Sequence, residues 1–195
     1  QEYRIGKIWD GQINSNIGKT LVQCGDDAPT IMYVTSVHFD PNGDTVATGR
    51  VFSGKVKKGD KLHLVSALSE TEVNEVSIDM GSLREEVTEV SAGSLASFTL
   101  TGKVKAGETL VDLAHKDTMV PFEGICYVSE PVVILAVEPK KTQDIPFLLD
   151  ALEKLASEDP NLKVTADKQT GEYLLSGMGE LHLEITIHEL KSTFG

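Results

Sequence analysis

Residues 30–39 read TIMYVTSVHF and run into Asp40-Pro41-Asn42-Gly43-Asp44, after which residues 45–56 (TVATGRVFSGKV) resume the same β-branched, apolar character. Asn-Gly is the strongest short hairpin signal, because both residues tolerate the positive φ of a tight turn. The stretch therefore reads as two antiparallel strands. Working outward, Lys57-Lys58-Gly59-Asp60 is the next turn, and residues 61–65 the next strand. Further strands are predicted at 72–78, 85–90, 95–100 and 109–113. Many short strands with no helical pattern between them predict a barrel or sandwich.

Beyond residues 119–124 the periodicity changes. Pro131 precedes an apolar strand at 132–138, and residues 142–157 then carry Ile145, Leu148, Leu149, Leu152, Leu155 and Ala156 along one face of a 3.6-residue period. Asp144 stands where it can cap this helix, Pro146 is tolerated in the first turn, and Asp159-Pro160 ends it. Strands follow at 162–166 and 172–176, joined by a turn through Gly171. Residues 179–191 fit two patterns. Leu181, Leu183, Ile185 and Ile187 alternate as in a strand, whereas Leu183, Ile187, Leu190 and Phe194 follow helical spacing. The βαββα order favours the helix, since that succession leads toward a split βαβ fold.

The 195 residues hold 18 Lys+Arg against 30 Asp+Glu, a net charge of −12. That excludes a generally basic nucleic-acid coat. Hydrophobic residues at 40% and charged residues at 25% are globular values, which argues against disorder. The length predicts one domain or two small ones. Cys24 and Cys126 show no spacing of a disulfide framework or zinc site and read as reduced thiols of a cytoplasmic protein. No apolar run approaches the roughly 20 residues that span a bilayer, so no membrane partner is expected. Gln1 in place of Met, with no secretory signal after it, suggests an excised segment.

Candidate chemical motifs are few. Residues 11–20 (GQINSNIGKT) end in Gly-Lys-Thr, but six residues separate Gly11 from Gly18 where a phosphate loop needs four, so a polar loop leading into the barrel is expected. Asp40–Asp44 lacks the Gly and Glu of a calcium loop. His182, Glu184 and His188 would bring only Glu184 and His188 together on a helix, too few ligands for a metal site. No serine has a nucleophile-elbow context, neither cysteine has an adjacent His, and the Glu70–Glu89 carboxylates read as a solvated face; no catalytic residue is assigned. One charge anomaly stands out. Between Arg50 and Lys61 lie Arg50, Lys55, Lys57, Lys58 and Lys61 against Asp60 alone. Such a hairpin either meets phosphates or guards a sheet edge against aggregation.

Three sets of residues carry a family resemblance. Residues 46–54 (VATGRVFSG), with 57–60 and Ala106-Gly107-Glu108-Thr109-Leu110, resemble domain II of the translocation GTPases of translation. Residues 128–133 (VSEPVV), Glu158-Asp159-Pro160 and above all 177–185 (GMGELHLEI) resemble their domain III. With residues 5–11 (IGKIWDG), the sequence is similar to the archaeal and eukaryotic elongation factor 2 type over nearly its whole length. The resemblance implies a lead-in segment from a GTPase domain at 1–23 and a Greek-key β-barrel at 24–120. A linker at 121–130 and a ferredoxin-like split βαβ domain lacking its last strand at 131–195 would follow. It implies no cofactor in these residues, with GTP and Mg held by a GTPase domain outside them, and hence no hydrolysis here. It also implies docking on small-subunit ribosomal RNA, with Lys55, Lys57, Lys58 and Lys61 as contacts, and Gly49 and Arg50 facing the GTPase neighbour. Gly177, Met178, Gly179, Glu180 and His182 would form a coupling motif, the two glycines allowing close backbone approach. The missing strand would leave 132–137 an open edge, able to pair in an edge-strand dimer. Another translational GTPase, or a free-standing protein-binding barrel, are the alternatives.

Overall fold

In the computed structural model, the described residues are 2–40, 43–81, 83–125, 130–139, 141–166 and 172–193, without the side chains of 142 and 193. The chain divides into two units, Gln1–Ile125 and Cys126–Gly195. The first opens with α1 (Glu2–Ile8) and α2 (Asn16–Gln23). Strands β1 (Ile31–Phe39), β2 (Thr45–Ser53), β3 (Lys55–Lys57), β4 (Lys61–Leu64) and β5 (Ser69–Met80) follow. The unit continues with β6 (Leu83–Glu86), β7 (Glu89–Ser91), β8 (Leu95–Leu100) and β9 (Thr109–Asp112).

Its main sheet is antiparallel, in the order β4-β9-β1-β2-β8-β5-β6. Because β4 also pairs with β5, from Lys61 opposite Glu72 to Leu64 opposite Ser69, the pairings return to the strand they began from. The wrap encloses a core that includes Met32, Val34, Val37, Val51, Phe98 and Leu110. A register shift between Val34 and Ser36 lets Val37, rather than Ser36, continue the inward row, as a β-bulge does. Ile31 and Tyr33 face the other way into a second cluster with Ile5, Trp9, Leu21, Phe52 and Phe122. Strand β1 is thus covered on both faces, which is why residues 30–39 read as a nearly continuous apolar run.

Several expectations need correction. Residues 11–20 are not a polar loop throughout. From Asn16 they form α2, capped by Ser15, whose Oγ accepts from the Gly18 N–H at 3.0 Å. An eight-residue helix is marginal alone; burying Ile17 and Leu21 in the second cluster holds it, at about 1.5–3 kcal/mol per fully buried aliphatic side chain. The strand expected over 45–56 breaks at Gly54, whose φ is +73° and where a side chain's Cβ would lie 2.7 Å from the Ala28 carbonyl oxygen, and β3 leaves to pair with β7. The strand expected at 85–90 is two strands, β6 and β7. In the connector expected at 121–130, Phe122 is buried in the first unit, and the Phe122 N–H donates to Thr109 Oγ1 at 2.9 Å. The tip of the first hairpin is visible at Gly43, with φ of +87° and its N–H donating to the Asp40 carbonyl at 2.9 Å. Pro41 and Asn42 lie outside the described residues, as do Cys126, Val128, Ser129, Gly171 and Phe194.

The second unit contains β10 (Val133–Val137), α3 (Ile145–Glu158), β11 (Lys163–Ala166), β12 (Tyr173–Gly177) and α4 (Glu180–Thr193). Its strands pair antiparallel in the order β10-β12-β11, the first-third-second arrangement of a split βαβ domain. Leu152 and Leu155 of α3, Leu162, Leu175 and Leu183 form its core. Asp144 sits at the start of α3 but makes no side-chain cap bond; a 3-10 turn over Thr142–Asp144 leads into the helix instead. The ambiguous segment is helical. Leu183 is buried, with Ile187 and Leu190 packed behind it, while Leu181 and Ile185 remain 69% and 52% exposed. A strand would have buried those four alternating residues together on one face. Among the described residues no helix is long and apolar enough to cross a membrane.

Candidate functional site

The basic stretch expected as a hairpin is instead a turn between two sheets: β3 pairs with β7, whereas β4 pairs with β5 and β9. Asp60 sets the turn, its Oδ2 accepting from the Lys57 N–H at 2.8 Å, and Gly59 supplies the positive φ of +88°. Pairing of β3 with β7 puts Lys57 opposite Glu89. The lysines therefore meet carboxylates. Lys57 Nζ lies 3.1 Å and Lys55 Nζ 3.3 Å from Glu89, Lys55 also lies 3.9 Å from Asp26, and Lys58 Nζ lies 3.4 Å from Glu86. Hydrogen bonding from Lys57 and then Lys55 holds the Glu89 carboxyl below its usual range, and Glu89, followed by Asp26, pushes Lys55 up. Lys61, at the start of β4, is exposed and forms no ion pair with a described residue. The stretch is thus cationic in sequence but partly balanced in space. That balance was not legible because Glu86 and Glu89 lie some thirty residues away and read as an ordinary solvated run.

Gly49 and Arg50 occupy β2 between β1 and β8. A side chain at Gly49 would lie 2.6 Å from the Tyr33 carbonyl, so its smallness serves the strand packing of the first unit itself. The Arg50 guanidinium lies over the Phe52 ring at 5.9 Å, and its Nε is buried with no hydrogen-bond partner among the described residues. Arg50 and Phe52 form one side of a cleft of about 270 Å³ whose other side is Tyr3, Arg4, Lys7 and Ile8 of α1.

In the second unit, the turn from β12 into α4 holds Gly177, Met178, Gly179, Glu180 and His182. The Met178 N–H donates to His182 Nδ1 at 3.1 Å, which leaves the ring proton on Nε2, 2.7 Å from Asp159 Oδ2. Asp159 Oδ1 accepts from the Asn161 N–H at 2.8 Å, so both carboxylate oxygens are used. The end of α3 is thereby tied to the first turn of α4. A side chain at Gly177 would approach Leu183 Cδ2 to 2.7 Å and His182 Nδ1 to 3.0 Å, the close approach expected there. Gly179 does not share that reason, since nothing lies within 4 Å of its added Cβ and its φ is not in the left-handed range. Asp159 was legible as a helix stop, but not as the partner of His182.

Other motifs are absorbed by structure. The Gly18 amide is engaged by Ser15, and Gly18-Lys19-Thr20 lie inside α2. Among the described residues no group of three or more His, Cys, Asp or Glu is placed to hold a metal ion.

Comparison with known proteins follows the same division. Residues 44–117 match the family model described as elongation factor Tu domain 2, and residues 128–195 match that of elongation factor G, domain III. Elongation factor 2 of Staphylothermus marinus is 48% identical over 195 residues, covering 100% of this chain and 26% of the relative. Those of Aeropyrum pernix and Ignicoccus hospitalis are 47% and 46% identical, again over 100% of this chain and 26% of the relative. Along its whole length the chain is thus similar to elongation factor 2, spanning about a quarter of these relatives' length, with one unit of the elongation factor Tu domain 2 kind and one of the elongation factor G domain III kind.

Proposed function

We propose that this chain docks an elongation factor on small-subunit ribosomal RNA and couples its domains during the translocation step of protein synthesis in the cytoplasm. The stretch from β3 through the turn into β4, with Lys55, Lys57, Lys58 and Lys61, supplies the RNA contacts. Gly49 and Arg50 lie toward a GTPase domain, and the Gly177–His182 turn transmits its reorientation. GTP and Mg are bound by that other domain, and residues 1–195 hydrolyse nothing. The observation that carries the reading is identity of 42–48% with elongation factor 2 along the whole chain. The lysine-bearing turn supports it locally, because phosphate contact depends on local rather than net charge.

Salt-sensitive cosedimentation with small ribosomal subunits tests the docking. Lys57→Glu combined with Lys58→Glu should abolish it, and unchanged binding would remove the assignment. Titration calorimetry with GTP should give no heat; appreciable affinity would overturn the view of residues 11–20. A second reading, a barrel that binds protein, draws on the carboxylates that already pair three of the lysines. Binding to subunits that ignores both salt and the double substitution would favour it.

A further inference from the structure

The first unit holds a second cationic surface with a different character. Arg4, Lys7 and Arg50 converge on the cleft between α1 and β2, and none pairs with a described carboxylate, whereas Lys55, Lys57, Lys58 and Arg84 all do. The cleft walls are almost wholly apolar, with Ile8 and Phe52 beside the charges. Phe52 is fixed from behind by Phe122, ring centroids 4.8 Å apart. Lys7 Nζ sits 4.8 Å over the Tyr3 ring, and Arg50 rests on Phe52, so both cations are held on ring faces with their N–H edges unspent. The buried Arg50 Nε–H is a donor with no acceptor among the described residues, a state that buried polar groups seldom keep.

These features call for one acceptor anion attached to something apolar. We propose that the cleft receives a protein segment from another domain of the same elongation factor, bearing a carboxylate next to an apolar side chain. The carboxylate meets the planar fork of Arg50, with Arg4 and Lys7 at the rim, and the apolar neighbour covers Ile8 and Phe52. A single carboxylate with an apolar neighbour fits one orphan donor beside Ile8 and Phe52, whereas a polyanion would bring further charges against those apolar walls with nothing to pair them. The proposal rests on the reading of Arg50 as an interface residue and is independent of the lysines of β3 and the turn after it.

The test is NMR of the ¹⁵N-labelled chain at neutral pH, titrated with a blocked pentapeptide that places glutamate between leucine and phenylalanine. The Arg50 Nε–H resonance should shift together with the amides of Tyr3, Lys7 and Phe52. Replacing the peptide's glutamate by glutamine should weaken binding about tenfold or more, for loss of a charge-assisted hydrogen bond. Arg50→Gln should abolish it. Arg4→Gln with Lys7→Gln, at exposed positions of α1, should weaken it while leaving the rest of the spectrum unchanged, so misfolding cannot mimic the result. Equal binding of both peptides, or no shift at Arg50 up to about 10 mM peptide, overturns the proposal. A shift produced by hexauridylate and not by the peptide also overturns it and assigns the cleft to RNA. Ribosome binding that survives Lys57→Glu and Lys58→Glu would sink the docking role without touching these outcomes.

Discussion

His182 and Asp159, 23 residues apart in sequence, meet at 2.7 Å between Nε2 and Oδ2 and join the end of one helix to the beginning of the next. The ring is oriented from its other side by the Met178 N–H. His182→Ala and Asp159→Ala should each destabilise the second unit by about 1.5–3 kcal/mol, the range for hydrogen bonds to charged groups. The double variant should cost clearly less than the sum. Hydrogen exchange of amides in α3 and α4 is the appropriate readout, because Trp9 reports only on the first unit. Strict additivity would show that the contact carries no energy.

The two glycines of the same turn should behave differently. Gly177→Ala forces a methyl group against Leu183 and His182 and should cost about 1–3 kcal/mol, the usual penalty of overpacking. Gly179→Ala meets open space and should stay within about 0.5 kcal/mol of the parent. Urea unfolding followed by circular dichroism compares them. Equal losses would contradict the geometry.

Glu89 holds the two β3 lysines, Lys55 and Lys57, in place and also cancels their charge. If those lysines meet phosphates, Glu89→Gln should tighten binding to small ribosomal subunits and steepen its salt dependence, in the direction opposite to Lys57→Glu with Lys58→Glu. Cosedimentation over a range of salt concentrations measures both. A Glu89→Gln variant that binds less well would mean that the shape of the β3–β7 pair outweighs its charge.

The first unit should lose stability in acid. Asp79 is held below its ordinary value chiefly by the Ser97 hydroxyl and then by Arg84, against an opposing effect of burial, and Glu89 is lowered by Lys57 and Lys55. A carboxylate with a depressed folded value contributes stability that is present above its unfolded value near 4 and disappears as pH falls through the folded one. Unfolding monitored by Trp9 fluorescence should therefore become easier below about pH 4. Asp79→Asn should flatten that decline while costing about 1 kcal/mol at neutral pH for the weakened hydrogen bonds. An unchanged acid profile in this variant would exclude Asp79 as a contributor.

Ile134 on β10, an edge strand among the described residues, and Val132 just before it are exposed at 61% and 78%. Among the described residues β10 pairs only with β12. In isolation the chain should self-associate through this edge, and Ile134→Lys should restore the monomer. Sedimentation equilibrium distinguishes the two. A strictly monomeric parent whose β10 amides are fully protected from exchange would contradict the edge pairing.

The sequence alone determined what is locally encoded. Turn residues such as Gly43, Gly59 and Asp60 mark the reversals between strands, and the 3.6-residue spacing of Leu148, Leu152 and Leu155 marks α3, because backbone geometry answers to near neighbours. The motifs at 46–54 and 177–185 likewise carried the family. Tertiary structure decided what depends on distant partners. Residues 16–23 are a helix because β1 and Trp9 give Ile17 and Leu21 somewhere to be buried, and residues 180–193 are a helix because α3 and β12 cover Leu183. Strand pairing turned a basic run into a half-neutralised one by placing Glu89 beside Lys57, and folding brought Asp159 to His182 and α1 to Arg50. Charge and burial are properties of neighbourhoods, and only the folded chain defines who the neighbours are.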